Sequence, residues 1–411
     1  MVNKIMFYFH AHQPFRIRKF RIFDYKSKER EKDYFYFDNE TNKRILERVA
    51  KKCYIPGNKL ILNLIENYDF KCAFSISGTL LEQLELWKPE VIDLFVKLVD
   101  TGNIELIADT YYHSLAFFFD KEEFREQVKE LIELYWDLFG YKPVTFRNTE
   151  LSYRNDMAKE VKKLGFKTIL TEGTEKILHW RSPNYLYKAK DEDIILALKN
   201  YRLSDDIAFR FSNPNWEHFP LTADKWSDWV SWSEGEIVNI AMDYETIGEH
   251  QWPETGIFEF FKHLPIELRK KNIEFVLPRE YKLKDTKDEL DVPFEISWAD
   301  WRGLDAWMSN EMQKYSLNRV YKLKEKVKML NDKKITHTWR LLQTSDHFYY
   351  MYTFATAEGD IHNYFREEAF ATPYDAFINY NNILTDFEDL IEEKIKERIK
   401  KQKIKTNQKN H

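Results

Sequence analysis

The chain has 411 residues, 43% hydrophobic and 32% charged, which predicts a folded protein with either one large α/β barrel or two packed domains. A formal net charge of -5 gives no electrostatic support to nucleic-acid binding. The two cysteines lack a CxxC spacing, which argues against a thiolate zinc site and fits a reducing compartment. No apolar run approaches the roughly 20 residues that span a bilayer, so we expect a cytoplasmic protein without a membrane partner.

Short apolar runs alternate with amphipathic stretches over the first two-thirds of the chain, a pattern typical of parallel strands joined by helices. Apolar residues at 124–138, spaced three and four apart, predict a covering helix that ends at Gly140. After about residue 290 helical spacing replaces the strand signal, and Thr372 with Pro373 predicts the start of a late helix. The predicted strands cover residues 4–9, 72–76, 104–108, 144–147, 168–170, 194–198, 237–242 and 275–277.

Ionisable side chains stand where three of these strands end. His10 and His12 follow the first strand, Glu150 follows the fourth, and Asp243 follows the seventh. In a parallel barrel the carboxyl ends of the strands converge on one mouth, so residues far apart in sequence become neighbours there. We therefore expect these four side chains to lie close together.

The two histidines point to the same face, because side chains alternate along a β-strand. Three interpretations are open for them: a metal pair, two hydrogen-bond donors to a polar ligand, or two hydrogen-bonded core histidines. A lone histidine would favour the core interpretation, but a pair followed by Gln13-Pro14 at a strand end makes that interpretation less favoured.

The two acidic strand ends differ in their surroundings. Glu150 lies in a loop with Arg, Asn, Tyr and Ser, where nearby cations favour the ionised carboxylate that a nucleophile requires, although a loop salt bridge explains this composition equally well. Asp243 is followed by Glu245, Glu249 and His250. Burial or a like charge raises the pKa of a carboxyl, which a general acid needs near neutral pH. We predict a functional role for Asp243 or Glu245.

Paired carboxylates are what glycosidic bond cleavage requires: one protonates the leaving oxygen, and the other attacks or stabilises the anomeric carbon. Glu150 and Asp243 are the candidates; a separation of about 5–5.5 Å would retain the anomeric configuration, and about 6.5–9.5 Å would invert it. His10 and His12 would then donate hydrogen bonds to sugar hydroxyls, with no metal required. Aromatic residues make up 16% of the chain, and several tryptophans between residues 216 and 307 could offer flat faces to a sugar ring: Trp216, Trp232, Trp298 and Trp301, whereas Trp226 and Trp229, three apart, fit helix packing better.

Five short motifs place these residues in a recognisable order. They are His-Gln-Pro at 12–14, Gly-x-x-x-Glu at 78–82, the loop that carries Glu150, Asp-Tyr-Glu-Thr-Ile-Gly at 243–248 and Ser-Asp-His at 345–347. In this order the chain resembles glycoside hydrolase family 57, and within it the group of archaeal and bacterial α-amylases. The resemblance implies an α/β fold: an incomplete (β/α)7 barrel over residues 1–290, followed by a helical domain over 291–411 that completes the substrate cleft.

The resemblance also implies a retaining α-amylase that acts on α-glucans such as starch, glycogen and maltooligosaccharides without a metal cofactor. Carried over by motif, Glu150 is the nucleophile and Asp243 the general acid/base. The positions that would contact substrate are His10, His12, Glu82 and Asp346, to which we add Trp301 for its aromatic face.

Three alternatives remain. A 4-α-glucanotransferase would share the covalent intermediate and differ in its acceptor, although the chain leaves no length for the large C-terminal β-domain that some family transferases carry. A metal-dependent hydrolase also begins with His-x-His after a barrel strand, and His113, His250 and Asp346 are available as further ligands. A non-catalytic glucan-binding protein would use the aromatic cleft alone. Few glycines and many Lys and Glu residues point to a heat-adapted source.

Overall fold

The structure is a computed structural model that describes residues 2–299, 302–354 and 370–409. All eight predicted strands are present within one or a few residues of their expected bounds, and β6 and β10 are short additions that lack an apolar run long enough to indicate them. The strands are β1 (Lys4–Ala11), β2 (Cys72–Ile76), β3 (Ile104–Leu106), β4 (Thr145–Arg147), β5 (Thr168–Glu172), β6 (Tyr187–Ala189), β7 (Ile195–Lys199), β8 (Ile237–Asp243), β9 (Glu274–Phe275) and β10 (Glu289–Leu290).

Helices occupy the connections between strands and most of the last hundred residues. They are α1 (Asn39–Val49), α2 (Ile55–Tyr68), α3 (Gly78–Trp87), α4 (Pro89–Asp100), α5 (Ala116–Phe119), α6 (Lys121–Phe139), α7 (Asn155–Lys163), α8 (Glu175–Leu178), α9 (Tyr201–Asp205), α10 (Ala223–Trp232), α11 (Ile257–Lys270), α12 (Asp305–Met308), α13 (Glu311–Lys322), α14 (Lys324–Leu330), α15 (Lys333–Leu341), α16 (Ser345–Tyr349) and α17 (Pro373–Lys409). In the part of the chain that the structure describes, none of these helices has the length and apolar character needed to cross a membrane.

Seven parallel strands form the barrel wall, in the order β3-β2-β1-β8-β7-β5-β4. The regular ladders stop between β3 and β4, where an isolated parallel bridge joins Ala108 to Phe146. Around this wall β9 adds to β1, and β6 pairs antiparallel with β7 and carries β10. The prediction of an α/β fold with an incomplete barrel is confirmed.

Alternation along β1 shows how the sequence fixes the faces of the wall. Phe7 packs outward against the covering helices, with its ring 6.0 Å from that of Trp226 on α10. Met6 and Tyr8 belong to a separate buried cluster contributed by the inner faces of neighbouring strands. Because side chains alternate, His10 continues this inner face at the carboxyl end of the strand. A strand that is buried on both sides reads as the continuous apolar run seen here.

The covering helix predicted at 124–138 is α6. Its buried side chains include Phe124, Val128, Leu131 and Tyr135, as the spacing requires. Gly140 follows its last turn in the left-handed conformation, with φ 60°, and its N–H donates to the carbonyl of Trp136. Glycine adopts this conformation without the steric cost that a Cβ brings, so it is the favoured residue at a helix carboxyl end.

A second core lies under the helices of the last third of the chain, which confirms the predicted helical region. Trp307, Trp339 and Phe348 are fully buried there. Thr372 caps α17 by accepting a hydrogen bond from the backbone N–H of Asp375 (3.1 Å), as the Thr-Pro signal indicated. The segment 15–37, which follows β1, contributes Phe15, Phe20 and Phe37 to this same core. The division of the chain at residue 290 stays a prediction, although β10 ends there.

Candidate functional site

A cavity of about 420 Å³ opens where the carboxyl ends of the barrel strands meet the helical region. Five of the seven residues predicted to be catalytic or to contact substrate lie in its wall: His10, His12, Glu150, Asp243 and Asp346. The expectation that these distant residues become neighbours is met. The same wall also includes His113, Lys199, Asp205, Glu245, Trp298 and Arg302.

Asp243 and Glu245 occupy one side of the cavity. Asp243 is the last residue of β8 and stands beside His10 in the register between β1 and β8. Glu245 is buried and accepts hydrogen bonds from the Tyr54 hydroxyl and from the backbone N–H of His12 (3.3 Å). Burial, together with the charge of Asp243, raises the pKa of Glu245 to about 8. One carboxyl therefore keeps its proton near neutral pH beside Asp243.

The backbone at Gly248 explains why the Asp-Tyr-Glu-Thr-Ile-Gly segment ends in glycine. Its φ is 105°, and a Cβ built on it would lie 2.0 Å from the carbonyl oxygen of Lys52. Both the backbone conformation and the close approach therefore require glycine. The turn closed by this residue holds the loop that carries Glu245 and His250 against the helical segment around Lys52.

We expect Gly248→Ala to lower the free energy of unfolding by about 2–4 kcal/mol, because the substitution combines backbone strain with a backbone clash. Urea denaturation followed by circular dichroism measures this. Gly256→Ala is the matched control: its φ is 86°, but a Cβ there meets no described atom within 4 Å. The control should cost about 1–2 kcal/mol, and equal losses for the two variants would contradict the role of the Lys52 contact.

Glu150 follows β4 in a strained turn. Its φ is 62° and that of Leu151 is 50°, so two consecutive residues with side chains adopt the left-handed conformation. Such strain persists only where surrounding contacts impose it, and it is concentrated at functional sites. Arg147 and Arg154, the loop cations that the sequence placed near Glu150, bond instead to Asp109 and to Asp156 with Glu295, respectively.

Three hydrogen bonds from three separate segments hold the Glu150 carboxylate. Its Oε1 accepts from His113 Nε2 (2.9 Å) and from the Ser345 hydroxyl (3.1 Å), and its Oε2 accepts from Trp298 Nε1 (2.7 Å). The side chain is 2% exposed, so these donors replace the water that would otherwise solvate the carboxylate. Donors to a carboxylate favour its ionised form.

The histidine pair connects the barrel to the helical region. His12 Nε2 lies 3.0 Å from Asp346 Oδ2 on α16, and His12 Nδ1 lies 2.8 Å from the Ser77 hydroxyl. Burial, and next the neighbouring His113, lower the pKa of His12 to about 4, so its ring is neutral at neutral pH. A neutral ring that donates to Asp346 from Nε2 accepts the Ser77 proton at Nδ1. His10 Nδ1 lies 2.8 Å from the Ser75 hydroxyl.

Three of these histidines are close enough to consider as metal ligands. One nitrogen each from His10, His12 and His113 lies within 4.8 Å of the others. Zinc, however, needs lone pairs that converge on a point about 2.0–2.1 Å from each nitrogen. The rings instead pack over one another, with centroids 4.7 Å apart for His10 and His113 and 4.1 Å for His12 and His113. Both nitrogens of His12 and of His113 already face hydroxyl or carboxylate oxygens. This arrangement favours hydrogen bonding over metal coordination.

A cluster of charged side chains at the cavity was not predicted from the sequence. Arg302 pairs with Glu172 (3.2 Å) and Asp205 (3.3 Å), and Lys199 pairs with Asp205 (3.2 Å). Glu172 and Lys199 are the last residues of β5 and β7. The same strand-end rule that indicated Asp243 would have found them. Ser345 belongs to the Ser-Asp-His motif and Trp298 to the tryptophans considered for sugar stacking, but no local pattern predicted that either would contact Glu150.

One predicted substrate residue, Glu82, is not among the described residues of the cavity wall, and another, Trp301, was not placed by the structure. Glu82 lies on the second turn of α3, where it accepts a hydrogen bond from the Tyr34 hydroxyl and pairs with His337 Nε2 (2.9 Å) on α15. It is not among the described residues that line the cavity, because its side of α3 faces the helical region. Trp301 lies outside the residues that the structure describes.

Comparisons with known proteins agree with this architecture. The model of the family described as Glycosyl hydrolase family 57 matches residues 6–293. A Methanocaldococcus jannaschii protein named "Putative alpha-amylase" is 47% identical over 408 residues, which are 95% of this chain and 85% of that protein.

Two solved structures show a similar fold. The GH57-type branching enzyme from Pyrococcus horikoshii has a TM-score of 0.66 at 17% identity, covering 92% of this chain and 88% of that one. The 4-alpha-glucanotransferase from Thermococcus litoralis has a TM-score of 0.59 at 16% identity, covering 85% of this chain and 56% of that one. This chain thus spans little more than half of the transferase. At such identities the two structures support the fold alone, and the names of the relatives cover three activities.

Proposed function

We propose that this chain, which belongs to glycosyl hydrolase family 57, is a retaining enzyme. Its reaction would be the cleavage of α-1,4-glucosidic bonds in α-glucans. Membership in the family makes it a glycoside hydrolase. The observation that carries the finer proposal is that Glu150, held by three donors, and Asp243 line the same cavity. Glycoside hydrolysis requires a pair of carboxyl groups on the two sides of the scissile bond.

In the proposed reaction, Asp243 protonates the glycosidic oxygen while Glu150 attacks the anomeric carbon. The bond from that carbon to the leaving sugar breaks as the bond to Glu150 forms. Asp243, now ionised, then removes a proton from water, which displaces Glu150 and restores both residues. The hydrogen bonds on Glu150 support the ionised form that this attack needs. His10, His12 and Asp346 are proposed to bind the sugar hydroxyls from the cavity wall.

We propose α-amylase activity rather than transfer because the relative that is 47% identical over nearly the whole chain carries an alpha-amylase name. A 4-α-glucanotransferase is the second candidate, since a relative of Thermococcus kodakarensis, matched over 31% of this chain, carries that name. Both reactions pass through the same covalent intermediate and differ in whether water or a sugar hydroxyl attacks it.

Sugar release from soluble starch in excess chelator tests the proposal. We expect reducing sugar to appear at the same rate with and without chelator, because each proposed step uses a carboxyl group and water. Maltotriose separates the two candidates: hydrolysis yields glucose and maltose, whereas transfer also yields longer maltooligosaccharides. A rate abolished by chelator and restored by added metal would support the metal-dependent hydrolase instead. Starch binding without any turnover would support a glucan-binding protein.

A further inference from the structure

His113 bridges two buried carboxylates that belong to different strand ends. Its Nε2 lies 2.9 Å from Glu150 Oε1, and its Nδ1 lies 3.3 Å from Asp109 Oδ2. Asp109 in turn bonds Arg147 and accepts from the Thr149 hydroxyl (3.2 Å). All four charged side chains are at most 3% exposed. An ionised carboxylate only accepts hydrogen bonds, so a ring placed between two of them has to donate from both nitrogens.

We propose that His113 is a positioning residue for the nucleophile: as an imidazolium, it orients Glu150 and keeps it ionised, while Asp109 and Arg147 fix the ring. This inference rests on the proposed function, in which Glu150 attacks the anomeric carbon. The proton stays on His113 Nε2 throughout, and the bond changes occur between Glu150, the sugar and the leaving group.

The charges around His113 agree with this role. Burial disfavours a charged ring, but the hydrogen bonds to Asp109 and Glu150 outweigh it and raise the pKa of His113 to about 9. On its other sides the ring packs against His10 and His12, and Asp346 lies behind His12. Because the pKa of His12 is lowered to about 4, that ring stays neutral beside the imidazolium. The charged histidine is therefore the one that contacts Glu150.

The backbone around His113 is also fixed by the helical region. Its φ is 51°, a strained value for a residue with a side chain. Its carbonyl accepts the backbone N–H of Ser345 (2.9 Å), and the hydroxyl of the same serine donates to Glu150. One residue of α16 thus holds both the histidine and the carboxylate it orients. A ring held this firmly acts on the direction of the nucleophile as well as on its charge.

Kinetics with maltosyl fluoride test the proposal, because fluoride leaves with little help from a general acid and the rate then reports on the nucleophile. His113→Asn should lower kcat about a hundredfold or more with KM changed less than about threefold, as expected when a preorganised donor is removed. His113→Gln, whose longer side chain brings an amide N–H closer to the position of Nε2 than that of asparagine does, should recover part of kcat. The control is His347→Gln, which removes an equally buried histidine that bonds the Leu341 carbonyl (3.2 Å). The control should keep kcat within about threefold.

The pH profile provides a readout that a purely structural role would not change. For the wild type, kcat for maltosyl fluoride should fall as the pH rises through about 9, when His113 loses its proton. His113→Asn should lack this fall. Deprotonation of Glu245, whose pKa is about 8, adds a further change in kcat near pH 8, and this change should occur in the wild type and in the variant. Histidine ¹⁵N NMR at pH 7.5 should show His113 protonated on both nitrogens and His347, whose burial lowers its pKa to about 4, neutral.

Two results would overturn the inference while the proposed function survives. One is a His113→Asn enzyme that keeps more than about a third of kcat while Glu150→Gln is inactive. The other is a neutral His113 in the wild-type NMR spectrum at pH 7.5, a measurement that does not depend on whether the variant folds. Full activity of Glu150→Gln would instead overturn the proposed function.

Discussion

Replacing Glu150 by glutamine lowers the rate of starch hydrolysis by at least about a thousandfold, because the amide cannot form the covalent bond to the anomeric carbon. The shape of the side chain is conserved, so the fold should survive. In the variant the amide NH2 replaces one carboxylate oxygen and faces a hydrogen-bond donor. The lost hydrogen bond is expected to lower the free energy of unfolding by about 1–3 kcal/mol at a buried site. Reducing-sugar assays and thermal unfolding of the same preparations separate loss of chemistry from loss of fold.

The matched control is Glu254→Gln, an exposed glutamate on the loop after β8 that should keep wild-type turnover. A second variant, Glu150→Ala, makes room for a small external nucleophile. With maltosyl fluoride and azide it should form the maltosyl azide of inverted configuration, which identifies the missing group as the nucleophile. A Glu150→Gln enzyme that keeps more than about a tenth of wild-type turnover would remove Glu150 from this role.

Asp243→Asn should have an effect that depends on the leaving group. With starch, loss of the general acid is expected to lower the rate by about a hundredfold to ten-thousandfold. With maltosyl fluoride the first step should stay close to the wild-type rate, since fluoride needs little protonation. The covalent intermediate should then accumulate, because the base that activates water is also missing. Burst kinetics and mass spectrometry of the quenched enzyme measure this accumulation.

Asp137→Asn, on the exposed face of α6, is the control and should behave as the wild type with both substrates. Equal losses on starch and on maltosyl fluoride would show that Asp243 does not act as the acid. In that case Glu245 becomes the candidate, because it is buried beside Asp243 and its pKa of about 8 keeps it protonated at neutral pH. Glu245→Gln would then be the variant with the leaving-group dependence.

Local sequence patterns are sufficient to predict the strands of the barrel wall and the ionisable residues at the ends of those strands. Apolar runs locate β1 and β8 because both are buried on their two faces, and the first polar residues after such runs fall at the cavity. The position of His10, Glu150 and Asp243 at the cavity follows from this rule alone. The rule applies equally to Lys199, which ends β7 at the cavity and was not predicted.

The residues that surround Glu150 could not be found in this way. Trp298 is 148 positions and Ser345 is 195 positions from Glu150 along the chain, and neither follows a barrel strand. Their place depends on how the helical region packs on the barrel, which no local spacing encodes. Glu82 depends on packing in the same way: motif order made it a candidate substrate contact, and the packing of α3 against α15 brings its carboxylate to His337 (2.9 Å).

The aromatic segment at 15–37 has a consequence for biosynthesis. It is made soon after the first strand, yet two of its hydrogen-bond partners lie on α17: Tyr36 donates to Asp386 (2.8 Å) and the Phe20 backbone to Asn379 (2.7 Å), 350 and 359 positions later. Until α17 has left the ribosome, the part of this segment that packs against α17 stays uncovered. We expect chaperones that bind exposed apolar sequence to engage the chain there until α17 is made, since contacts of such long range form late.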